Sequence, residues 1–383
     1  MSIQYLMKLY EYEKIPSQYE KLIEHIKENI ALHQYFKEDW GDVKTKQYCG
    51  ILSFEKDDYY LLPKISNDEN TNLDIFIYML MYVYDIKLSN EQIASCKNEK
   101  SETLLEVLVQ MFVQNLLDEL KKGIYKEYVT HEDNLKTLKG KYLINENLKY
   151  NFVKTKIYCE YDEFSENNTL NQFFLYTIKN LQKFVKNKKY LKQCELIFDE
   201  VESFSFDVDL LNIHFTRINK RFEKSYNMAV LLLKRLIPLY SKGKNSFAFL
   251  FDMNVLFEKF IAKAIKSIDD SAKIQNQNSF GNLLLKPDII LKNQIIDTKY
   301  KRIKSLEDLK QSDKLQAFAY GINYGLKNAV LLYPKHLDDV NKELFLGENE
   351  NKICLKINSI DLNFDGSFKE FIEEIKCRLE RIL

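Results

Sequence analysis

Apolar residues recur at helical spacing from residue 104 to 120, where Leu105, Leu108, Met111, Phe112, Leu116 and Leu120 form one stripe, and Gly123 follows as a stop. The first forty residues read as helical. Residues 43–54 and 59–62 read as strands around the polar turn 55–58, and Pro63 with the polar stretch 66–72 ends them. The apolar run that follows predicts a buried helix over 73–86. Residues 88–102 are polar and predict a loop or boundary. Glu166-Asn167-Asn168 opens a helix running toward Leu191.

From Phe247 the pattern changes. A helix is predicted over 252–268 with Asp252 as its N-cap, then strands over 283–291 and 294–300 around Lys292-Asn293. A helix over 313–324, strands over 329–333 and 353–362, and a closing helix over 368–383 complete the chain. The fold class is therefore α+β or α/β. Three consecutive regions are expected: a helical N-terminal region with a small β-sheet (1–102), a mainly helical middle (103–242), and a C-terminal mixed-sheet domain (243–383).

Composition narrows the function. The 383 residues carry 56 Lys+Arg against 56 Asp+Glu, so bulk charge attracts no polyanion, and any nucleic-acid contact must be a local patch. One such patch is Lys179, Lys183, Lys186, Lys188, Lys189 and Lys192, with no acid between them; it is either a solvated helix face or a phosphate contact. The longest apolar run, residues 75–84, is half a membrane span, so no membrane association is expected. The N-terminus lacks the pattern of a signal peptide. The six scattered cysteines form no CxxC pair and predict reduced thiols in the cytoplasm. No HExxH or GxxxxGK[ST] occurs, so the chain carries neither that zinc site nor a phosphate loop, and it is not an NTP-driven motor.

The informative stretch is Lys286-Pro287-Asp288 to Asp297-Thr298-Lys299. With Lys292-Asn293 as the turn, the strands pair with an index sum of 585, which sets Asp288 across from Asp297 on one face. Lys299 shares that face. Opposed carboxylates repel unless a cation sits between them, and oxygen ligands suit Mg²⁺ or Mn²⁺ rather than zinc. Hydrolysis of a phosphodiester needs such a metal and a nearby cation, a role open to Lys299. A surface hairpin with three ordinary charges stays open at this point. Glu258 flanks the apolar stripe of the preceding helix with no cation at i±3 or i±4, which makes it a candidate metal or supporting ligand. Asp313, Gln316, Tyr320 and Tyr324 share one face of the following helix, either as a polar outer face or as part of the site.

This pattern resembles the PD-(D/E)xK nuclease superfamily and, more specifically, McrC, the nuclease subunit of McrBC-type modification-dependent restriction systems. The resemblance covers most of the chain. Tyr48-Cys49-Gly50-Ile51 with Leu62-Pro63-Lys64-Ile65 is similar to the family's "YVG…PKI" pair. Residues 123–128 with Leu138-Lys139-Gly140-Lys141 resemble its "GLxxxY…LRGRL" block, and residues 163–171 resemble its Asn-rich block. Residues 251–258 (FDMNVLFE) are similar to its "DMNxLFE" signature, and Gln316-Ala317-Phe318-Ala319-Tyr320-Gly321 and Leu332-Tyr333-Pro334 to its last two. Two departures stand out: the second acid is Asp, and Cys49 replaces the family's usual Val.

The resemblance implies a C-terminal restriction-endonuclease-like domain in which Asp288, Asp297 and Glu258 bind Mg²⁺, with Mn²⁺ able to substitute. Lys299 would position or activate water, and Gln316, Tyr320 and Asp313 would support the site and touch DNA. It implies recruitment to an McrB-like AAA+ GTPase hexamer that binds GTP, acting on double-stranded DNA, with docking through the N-terminal strands around residues 48–65. A non-catalytic adaptor of the ring and a stand-alone repair nuclease are the competing classes.

Overall fold

The computed structural model describes residues 6–55, 57–97, 103–153, 155–241, 244–303, 305–335 and 340–383. The chain forms two compact units: residues 1–101 with 248–383, and residues 102–247. The first and third regions expected from sequence thus fold together, and the middle region is inserted between them. The stretches 98–102 and 242–243, where the sequence changes character, lie outside the described residues.

In the first unit, strands Leu6–Tyr10, Asp57–Leu62, Tyr48–Phe54 and residues 248–252 of strand Lys244–Asp252 lie side by side in that order. Leu6–Tyr10 runs parallel to Asp57–Leu62, with Leu6 beside Asp58 and Tyr10 beside Leu62. This corrects the helical reading of the first forty residues: among the described residues the α-helix there is Glu20–Glu28, flanked by short 3-10 turns, and Leu6–Tyr10 gains its hydrogen bonds from a strand far along the chain. Residues 49–52 and 59–62 are buried throughout. Within the segment 48–65 expected to dock a partner, these positions are core, while Tyr48, Ser53, Asp57 and Lys64 are half-buried and Glu55 is exposed. Gly50 shows why a glycine stands there. Its φ is +143°, and a Cβ would lie 2.1 Å from the Phe249 carbonyl oxygen of the neighbouring strand.

The second sheet of this unit has six strands, in the order Lys273–Ile274, Ile289–Ile290, Gln294–Thr298, Asn328–Lys335, Ile353–Asp361 and Asn341–Leu346. Gln294–Thr298, Asn328–Lys335 and Ile353–Asp361 are parallel; the flanking pairs are antiparallel. The run Ala329-Val-Leu-Leu-Tyr333 is apolar without alternation because both faces are covered. Ala329, Leu331 and Tyr333 join Ala317 of helix Gln311–Tyr324 in one cluster. Helices Glu69–Val83, Met253–Ile268 and Phe368–Glu380 pack on one another through Tyr78–Phe371 and Phe260–Phe371 ring contacts of 5.3 and 6.0 Å.

The second unit is built on Leu104–Leu120, opened by a Thr103–Glu106 capping box, with helices Thr169–Leu181, Lys189–Ile197 and Glu223–Arg235. Phe112, Phe173, Phe174, Phe198 and Phe222 are fully buried in it. The single long helix expected toward Leu191 breaks after Leu181, and all six lysines of the basic patch are exposed around that break. The expectation of a mainly helical region misses a three-stranded sheet, ordered Glu127–Leu135, Ile157–Ser165, Lys141–Tyr142. These strands are mostly solvent-facing, so their sequence lacks the buried alternation that marks a strand. The six cysteines are free, and among the described residues no helix is long and apolar enough to cross a membrane.

Candidate active site

The hairpin of the six-stranded sheet adopts the register expected from its sequence. Ile289 pairs with Ile296 and Ile290 with Ile295, while Leu291 N–H donates to Gln294 O (2.9 Å) to close the turn. The ladder stops one step short of Asp288, whose carboxylate takes over. Its Oδ2 accepts from the Thr298 main-chain N–H (2.7 Å) and the Thr298 hydroxyl (2.8 Å). Thr298, the middle residue of Asp-Thr-Lys, thereby fixes the first acid beside the second. The Asp288 carbonyl accepts from Gln275 N–H (2.8 Å).

Asp297 is 3% exposed on the central strand. Its Oδ2 lies 2.6 Å from Lys299 Nζ, which donates to it in a largely buried ion pair. Burial, then the charge of Asp288, pushes the Asp297 carboxyl above its ordinary value; Lys299 opposes them without cancelling them. Burial works against the Lys299 ammonium, but Asp297, Asp288 and Asp313 outweigh it and hold its pKa above the usual lysine value. Lys299 Nζ also donates to Gln316 Oε1 (3.0 Å). Gln316 Nε2 donates to the Tyr320 hydroxyl (2.8 Å), which donates to Lys286 O (3.1 Å). Tyr324 reaches Asn276 O and Leu285 O at 3.1 and 3.2 Å. The face Asp313, Gln316, Tyr320, Tyr324 is therefore turned to the sheet rather than to solvent. Asp313 pairs with Lys301 instead of joining the two acids.

Glu258 stands at the edge. Its Oε1 accepts from Gln275 Nε2, so it has an amide partner from a different segment. Burial raises its pKa and Asp288 adds to that, so it lies within the field of the same cluster. Among the described residues no three carboxylate, imidazole or thiolate groups stand together as a ready metal cage. The set Asp288, Asp297 and Glu258 is thus not closed around one point. The two aspartates still suit a hard cation: both offer oxygen, and Lys299 offsets only part of what burial and the neighbouring charge cost Asp297. Sequence reasoning missed Gln275 and Lys301. Only Thr298 carried a signal, as the hydroxyl inside the motif.

A mixed sheet with paired acids and a lysine at the mouth of one hairpin defines a class of candidate hydrolytic sites. A family model described as McrBC 5-methylcytosine restriction system component matches residues 43–334, and the chain belongs to that family. Two solved structures share the fold. One is the refined half-complex from the tetradecameric assembly of Thermococcus gammatolerans McrB AAA+ hexamers with bound McrC. The likeness there has 19% identity, covers 99% of this chain and 100% of that chain, and has a TM-score of 0.64. The other is the cryo-EM structure of the Thermococcus gammatolerans McrBC complex, at 22% identity, 71% and 89% coverage and a TM-score of 0.50. No curated protein matches the chain.

Proposed function

We propose that this chain is the nuclease subunit of a McrBC-type system, a Mg²⁺-dependent endonuclease acting on double-stranded DNA. Its six-stranded sheet unit is read as a PD-(D/E)xK nuclease domain. On this reading it is recruited to an McrB-like AAA+ GTPase hexamer and stimulates that ring's hydrolysis. The observation that carries the proposal is the meeting of Asp288, Asp297 and Lys299 at one hairpin, with Gln316 holding the lysine. Family membership, and likeness to a chain from assemblies of McrB hexamers with bound McrC, support the partner.

Asp288 and Asp297 would hold the metal, with Glu258 at the rim. A bound Mg²⁺ supplies charge that polarises the scissile phosphate and lowers the pKa of an attacking water. Lys299 would act as a fixed cation toward charge developing on the phosphate and would position or activate the attacking water. Gln316 and Tyr320 hold that cation in place.

The test is plasmid cleavage beside nucleotide hydrolysis, with the purified AAA+ partner and Mg²⁺ or Mn²⁺. Asp297→Asn keeps the side chain's shape and removes its charge. Cleavage should fall by two decades or more, about 3 kcal/mol of transition-state stabilisation. The circular-dichroism spectrum and the stimulation of the partner's hydrolysis should remain. Wild-type cleavage by the variant would refute the assignment.

A further inference from the structure

Within the first unit, a pocket of about 490 Å³ opens against the segment that follows Lys299 in the chain. Its walls are residues 11–13, Lys64, Lys301, Arg302 and Lys310, so four cationic side chains face two carboxyls. One of these, Glu13, is paired with Lys64. The other, Glu11, is 2% exposed. Its Oε1 accepts from the Tyr300 hydroxyl (2.7 Å) and from Lys64 N–H (3.0 Å). Its Oε2 is buried, with no hydrogen-bond partner among the described residues. An unmatched buried oxygen costs about 1–3 kcal/mol, so a pocket lined by one is suited to a ligand that satisfies it. Burial pushes the Glu11 carboxyl up to about 7, so near neutrality it carries a proton much of the time and can donate to an anion.

The pocket is linked to the candidate site through the segment that follows Lys299, since Lys301 and Arg302 line it. Tyr300, which holds Glu11, directly follows Lys299 in the chain. Lys301 pairs with Asp313, on the same helix that presents Gln316 to Lys299. Arg302 and Lys310 are exposed at the rim.

We propose that this pocket receives a backbone phosphate of the DNA strand held at the candidate active site, gripped by Arg302 and Lys310 with the Glu11 carboxyl at its floor. The proposal rests on the nuclease reading, since that reading brings a nucleic-acid strand to Lys299. A guanidinium fork beside an ammonium suits phosphate oxygens and reads no base.

The experiment uses the full chain carrying Asp297→Asn, so that DNA stays intact, and a short fluorescent duplex titrated at several salt concentrations. Arg302→Ala and Lys310→Ala should each weaken binding. Each should also flatten the slope of log K against log salt by about 0.9 for every phosphate the variant no longer neutralises. Glu11→Gln, a neutral isostere, should retain affinity, and Lys37→Ala on strand Phe36–Asp39 should change nothing. Unchanged affinity and slope in both rim variants overturn the proposal. So does a loss confined to binding of the AAA+ partner, which would make the pocket a protein-docking surface. If the rim variants flatten the slope but Asp297→Asn still cleaves, the catalytic assignment falls and the pocket stands.

Discussion

Replacing Glu11 by Gln isolates the energy of one buried carboxyl. Glu11 directly follows strand Leu6–Tyr10 and faces Tyr300, just beyond strand Gln294–Thr298. Its pKa rises from 4.5 to about 7 because burial outweighs the hydrogen bonds from Tyr300 and Lys64. The folded carboxyl therefore holds its proton more tightly than the unfolded one. Its contribution to stability is fully present below about pH 4.5 and is lost as pH rises through about 7. At 1.36 kcal/mol per pH unit, that gap amounts to about 3 kcal/mol at alkaline pH. Gln keeps the acceptor oxygen for Tyr300 and Lys64 and never ionises. Its amide N–H₂ takes the place of the open oxygen, at a cost of about 1 kcal/mol at any pH. The stability difference between variant and wild type should thus swing in favour of the variant by about 3 kcal/mol between pH 5 and pH 9. A swing of that size moves the melting temperature by about 6–12 °C in a unit of this size class. Thermal melts followed by circular dichroism across that range provide the measurement. Parallel pH profiles for the two proteins would refute the claim that burial governs this carboxyl.

Two further outcomes follow from the geometry. Gly50→Ala forces a Cβ to within 2.1 Å of the Phe249 carbonyl at a φ of +143°, so it should cost about 3 kcal/mol or more and appear as a lowered melting temperature. A variant as stable as wild type would mean that the strands do not approach this closely. Gln316→Ala removes the amide linking Lys299 to Tyr320 but leaves the Lys299–Asp297 pair, so kcat should fall about tenfold with KM and fold little changed. An unaltered kcat would reduce Gln316 to a packing residue.

Different physics governs what the sequence reveals and what it hides. The hairpin was legible because antiparallel register is arithmetic. One turn at Lys292-Asn293 determines which residues oppose, and the observed pairs share the index sum read from sequence. The helix face from Asp313 to Tyr324 was legible by its period, although only the structure decides between solvent and site. The parallel strand Leu6–Tyr10 was not, because five residues of mixed character fit either state and its partner lies well downstream. Nor was the sheet of the second unit, whose exposed strands carry no burial pattern. The assembly of the first unit was the least legible feature. Its two segments are separated by the whole insertion, and the contacts that join them are non-local, as when Glu11 meets Tyr300. This bears on any truncation. Deleting residues 1–100 would strip Leu6–Tyr10, Tyr48–Phe54 and Asp57–Leu62 from their sheet and helix Glu69–Val83 from the packing around Phe260 and Phe371. Loss of cleavage in such a fragment would report a broken core and say nothing about partner docking, so function in this fold has to be dissected by point substitution.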